Sequence, residues 1–138
     1  MRSHAALGVV SGLLLLAGCA GPSEYQLRGT SRAAGADGMI QIESIEGGNH
    51  MVTLAIDHLP PPARLGPELT SYAVWFEEAG RATQKAGDLE YDDDTRSGRM
   101  MATTPLRRFT VKVTAERDRS SISPSDWVVA TREVGGED

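Results

Sequence analysis

Four groups of side chains in this sequence have the types or spacing to do chemistry. Cys19 is the only thiol in 138 residues. It ends an apolar run that begins at Ala5, and the small residues Ala17 and Gly18 before it leave the backbone open to a peptidase. His50 and His58 share parity with Val52, Leu54 and Ile56. At about 3.4 Å per strand residue they stand roughly 27 Å apart, too far to ligate one metal or form one dyad. Asp88, Glu90, Asp92 and Asp94 occupy alternate positions, one face of a strand if the strand runs that far. Oxygen-rich loops bind calcium, and Asp92 and Asp94 are the candidate ligands. Arg96, however, stands where an EF-hand-like loop needs its third ligand, so a solvated hairpin neutralised by Arg96, Arg99 or Lys112 is the plainer account. The serines of 120–125 lie in a turn with no histidine nearby and no G-x-S-x-G elbow, and the one thiol has another use. Gly47-Gly48 precedes a strand and not a helix, which excludes a phosphate loop. The chain therefore reads as non-catalytic.

The thiol depends on what precedes it. Met1-Arg2-Ser3-His4 is a short, weakly positive start, followed by mostly apolar residues from Ala5 to Ala17. At about 1.5 Å per helical residue that run spans roughly 20 Å, short of the ~30 Å hydrocarbon core, so it reads as a cleaved secretory signal. Leu16-Ala17-Gly18-Cys19 resembles the bacterial lipobox. The resemblance implies cleavage between Gly18 and Cys19, a diacylglycerol on the Cys19 sulfur and acylation of the new amine. The only attached group expected is this covalent lipid. Three acyl chains anchor durably where one holds marginally, at about 0.8 kcal/mol per buried CH₂. Ala20 follows instead of the Asp that retains similar lipoproteins at the inner membrane. In a cell with two membranes, the resemblance thus implies the outer one, with the protein facing the periplasm.

Composition bounds the partners. Removing residues 1–18 leaves 120, enough for one ordinary domain. Losing Arg2 leaves 13 basic against 19 acidic side chains, a net charge of about −6 with histidines neutral. That surface repels nucleic acid and has no polybasic grip on anionic lipid. With the single cysteine used for lipid, no intramolecular disulfide forms, and packing alone must hold the core.

The elements that would position these groups are strands. Residues 19–37 are rich in Gly, Ser, Ala and Arg and read as the lipidated cysteine and a flexible tether, although Tyr25-Gln26-Leu27-Arg28 alternates for one short period like a first edge strand. The folded domain is expected over 38–134. Met39–Glu43 and Val52–Asp57 alternate with period two around Glu46-Gly47-Gly48-Asn49, a hairpin signal. Leu59-Pro60-Pro61-Pro62 cannot continue a central strand, so 59–70 should cross between sheets. Ser71–Glu77, Ala86–Tyr91, Arg99–Thr104, Arg108–Glu116 and Trp127–Val134 complete the set, and 135–138 should fray. Seven or eight short strands with turns between them predict an all-β antiparallel sandwich with Trp75 between its sheets.

Tyr72-Ala73-Val74-Trp75, Ala86-Gly87-Asp88-Leu89, Phe109–Glu116 and Pro124 also resemble the immunoglobulin-like extracytoplasmic domain at the C-terminal end of anti-sigma-K factors, over roughly 70–134. The sigma-binding module and spanning helix of that family have no counterpart in this sequence. The resemblance therefore implies a sensing or contact role outside the cytoplasm and no sigma inhibition. The expected protein is a membrane-anchored envelope lipoprotein whose immunoglobulin-like sandwich contacts another envelope protein or polymer. Tyr25, Leu65, Leu69 and Trp127 are the candidate contact residues. A calcium- or small-ligand-binding sandwich using the Asp88–Asp94 face is the alternative, and an enzyme without a recognisable motif is a third.

Overall fold

The computed structural model describes residues 21–136. Nine strands form: β1 (Ser23–Arg28), β2 (Asp37–Ser44), β3 (His50–Asp57), β4 (Ser71–Glu77), β5 (Gln84–Asp88), β6 (Glu90–Asp92), β7 (Ser97–Thr104), β8 (Arg108–Glu116) and β9 (Val128–Gly135). One short helix, α1 (Pro62–Leu65), interrupts the connection from β3 to β4. The strands make two antiparallel sheets, ordered β1-β2-β3-β7-β6 and β5-β4-β8-β9. Setting β1 aside, these are the A-B-E-D and C′-C-F-G orders of an immunoglobulin-like sandwich. The period-two alternation accounts for the core. Ile40, Val52, Leu54 and Ile56 point inward from one sheet and Tyr72, Val74, Val111 and Val113 from the other, all of them fully buried. At Gly47 and Gly48, φ of 79° and 76° closes the β2–β3 turn, a region that L side chains rarely adopt.

Residues 23–36 belong to the domain, which corrects the expected tether. β1 pairs with β2 along its whole length, from Ser23 opposite Ile42 to Arg28 opposite Asp37. Leu27 is fully buried in the core, joined there by Ala33 and Ala36. The chain then reaches the second sheet, where the Thr30 amide donates to Val129 O at 2.8 Å and the Thr30 hydroxyl donates to Val128 O at 2.7 Å. A Cβ on Gly29 would lie 1.8 Å from Ala33 O, so only glycine lets the backbone fold back there. Small residues that look like a linker in sequence are instead what allows close packing between β1 and β9.

The strand count also exceeds the expected seven or eight, for two reasons. β1 is one. The other is that the expected single strand Ala86–Tyr91 divides between sheets: β5 pairs with β4, whereas β6 pairs with β7. Leu89 is the crossing point, its amide donating to Tyr72 O at 2.9 Å and its side chain buried beneath Gly98. A Cβ on Gly98 would meet Leu89 Cδ2 at 2.4 Å, so a glycine opposite makes room for the crossing.

Trp75 is fully buried but lies outside the space between the sheets. Tyr72, Val74 and Phe76 take the inward positions of β4, which puts Trp75 on the outer face of the four-stranded sheet. Its Nε1 donates to Thr114 Oγ1 at 2.7 Å, and Thr114 donates to Glu116 Oε2 at 2.9 Å. The 117–127 loop roofs this layer. The Ser125 amide donates to both Glu116 carboxylate oxygens, and Lys85, over the Trp75 ring, donates to Arg119 O. The result is a small polar second layer that packs against the outside of the sheet.

Candidate functional site

The sandwich has two ends, and the chain's topology sorts the candidate residues between them. β1 begins at one end, beside the 45–49 turn, the 105–107 loop and Gly135-Gly136. The opposite end carries the 29–36 segment, the 58–70 connection, the 93–96 turn and the 117–127 loop.

Cys19 and Gly18, the expected lipidation and cleavage residues, lie outside the described residues. Asp92 and Asp94 sit in the β6–β7 turn. There Asp92 Oδ1 accepts from the amides of Asp94 (2.8 Å) and Thr95 (3.4 Å), so the carboxylate closes the turn. Arg96 follows in the left-handed region with φ of 54°. The row of four carboxylates does not share one face, because the crossing at Leu89 places Asp88 on one sheet and Glu90 on the other. Asp88 Oδ1 lies 3.0 Å from Lys85 Nζ. Among the described residues no group of three His, Cys, Asp or Glu is arranged to hold a metal.

The four expected contact residues divide likewise. Tyr25 is half-buried at the β1-start end, where its hydroxyl accepts from the Gly135 amide at 3.0 Å. Leu69 is buried in the core, and Leu65 and Trp127 are half-buried against it. Leu69 and Trp127 both close on Gly66, and the Arg32 guanidinium stacks over Trp127 at 4.5 Å from the ring centroid. Internal packing therefore occupies most of this apolar area, and the four do not form one exposed patch. The large apolar side chains that are exposed are Ile122 (90%) and Met101 (64%). Ile122 was legible as a lone apolar residue among hydroxyls in Ser121-Ile122-Ser123-Pro124. Met101 was legible as the outward partner of core-facing Met100.

The histidines do stand at opposite ends of β3, as their spacing required. His50 Nδ1 is buried with no partner among the described residues, in a cleft of about 400 Å³ lined by Ser23, Tyr25, Arg107 and Gly135. His58 is exposed with φ of 56°, and its Nδ1 lies 2.7 Å from Asp37 Oδ1. The hydrogen bond to Asp37, then the Asp37 charge and that of Asp57, hold the imidazole above its ordinary 6.5 against a small opposing desolvation. Asp37 and Asp57 are direct cross-strand neighbours, and Ser97 donates to Asp57 at 2.9 Å. A cleft of about 740 Å³ opens beside them, walled by Arg28, Gly29, Ala36 and Gly38. This arrangement lets a protonated His58 offset two neighbouring carboxylates.

No protein-family model matches the chain, and neither a curated protein nor a solved structure matches it.

Proposed function

We propose that this chain is an envelope lipoprotein, held at a membrane by lipid on Cys19, whose immunoglobulin-like sandwich works by contact with another envelope protein or polymer. The observation that carries the reading is Leu16-Ala17-Gly18-Cys19 at the end of the apolar run Ala5–Ala17. It combines a thiol that a lipid transferase can alkylate, small residues a peptidase can accept and a run too short to span permanently. The fold supports a contact role indirectly. Asp92 is committed to its turn, the histidines are apart, and the largest exposed apolar side chain, Ile122, projects from a loop. A covalent lipid is the attached group this reading requires, and the acidic charge argues against nucleic acid as partner.

The test is metabolic labelling of the full chain with a palmitate analogue in a bacterial host. The parent should incorporate label and the Cys19→Ala variant should not; equal labelling of the two would sink the anchor.

A further inference from the structure

We propose that the end of the sandwich where β1 begins rests on a lipid headgroup surface, while the opposite end, bearing Ile122, is held clear of it. This inference rests on acylation of Cys19 and adds what the fold requires once that anchor exists. The first folded residue, Ser23, is paired with Ile42, and Tyr25 and Leu27 behind it are packed into the domain. Three residues, and so four Cα–Cα steps, therefore separate the lipidated position from β1. Fully extended they span at most about 14 Å. The domain is taller than that, since the eight residues of β3 alone rise about 27 Å. A leash shorter than the body it holds keeps the attached end near the bilayer and cannot bring the far end down in its place.

The direction of β1 then decides which end is down. Ser23 lies with the 45–49 turn, Arg107 and Gly135-Gly136. These meet the headgroups, with the exposed Arg107 side chain ion-paired to no carboxylate among the described residues. Strands β6 and β7 carry the 93–96 turn, and β8 the 117–127 loop, to the far side, where Ile122 is 90% exposed. An eighteen-residue flexible tether would have allowed any orientation. The observed fold leaves three, which keeps the β1-start end next to the bilayer.

Acylation of Cys19 makes the experiment clean, because a cysteine introduced elsewhere becomes the only free thiol. Full-length Glu46→Cys and Asp94→Cys, at opposite ends and both exposed, are labelled with a fluorophore. Each is then reconstituted in phosphatidylethanolamine–phosphatidylglycerol vesicles containing headgroup-nitroxide lipid. Quenching should be several-fold stronger at 46 than at 94. Inserting fifteen Gly/Ser residues after Gly21 should erase the contrast, since the leash then exceeds the height of the domain. Equal quenching at both sites, with the acyl mass confirmed on Cys19, would overturn the orientation and leave the anchor standing. A contrast that survives the insertion would overturn the leash as its cause. An unmodified Cys19 would remove the anchor, and this inference with it.

Discussion

Thr114 shows how one hydroxyl can link two buried polar groups. It accepts from Trp75 Nε1 and donates to Glu116, and all three residues are buried. Removing the hydroxyl leaves the buried indole N–H without a partner and Glu116 Oε2 with the Ser125 amide alone. Thr114→Val, equal in shape, should lower stability by about 1–3 kcal/mol in equilibrium denaturation. A change within about 0.5 kcal/mol, the scatter expected of exposed positions, would show that the layer is not tightly held. His58 behaves differently because it is fully exposed. Its raised pKa means that the folded chain binds the proton more tightly than the unfolded one. The added stability is thus fully present below about pH 6.5 and is lost as pH rises through the raised value. An NMR titration should find His58 above 6.5 in the parent and closer to 6.5 in Asp37→Asn. Identical midpoints would refute the pairing. Salt should diminish the effect, as for any exposed pair.

β1 is the element whose role was least apparent. A flexible tether loses nothing when a leucine becomes alanine, whereas a core strand loses transfer free energy and gains a cavity. Leu27→Ala should therefore cost about 2–5 kcal/mol, measured as a lower denaturant midpoint at unchanged slope. An unaffected midpoint would return residues 23–28 to the linker. The β5–β6 break works by the same balance of local and distant forces. Asp88, Leu89, Glu90 and Tyr91 alternate without a break, yet β5 and β6 hydrogen-bond to different sheets. Tyrosines on β6 and β4 secure the β3–β4 connection, Tyr91 donating to Leu59 O at 2.5 Å and Tyr72 to Pro60 O. Burial pushes the Tyr91 phenol up to about 12 and the Tyr72 phenol higher still, with nearby Asp93 adding to both.

For the molecule as a whole, the absence of a second cysteine places the burden of stability on packing and edge protection. β1 covers the outer edge of β2, and the Gly29–Ala130 bridge with the Thr30 bonds ties it to β9. Truncation to residue 37 would open that edge and the Leu27 site together. The shortened domain should lose its cooperative thermal transition and aggregate through the exposed strand, by calorimetry and size exclusion. A monomeric truncation melting at the parent's temperature would contradict this closure.

Local chemistry already determined much of the architecture. Period-two alternation placed β2, β3 and β8 within a residue or two, β-forming residues placed β4, glycines marked the hairpin, and three successive prolines marked the crossing between sheets. The lipobox resemblance likewise needed only consecutive residues. Other features depended on contacts between residues far apart in the chain. Ser, Gly and Ala between β1 and β2 resemble a linker until the Val128–Ala130 segment lies against them. Trp75 fits a sandwich core by its type, but the roof formed by the 117–127 loop lets the outer face bury it instead. Asp92 and Asp94 have ligand spacing, and only the folded turn brings the Asp94 and Thr95 amides onto Asp92 Oδ1. Alternation tells which side chains share a face of a strand. Which sheet that strand joins, and what covers each face, is settled by hydrogen bonds and packing across tens of residues that no local pattern records.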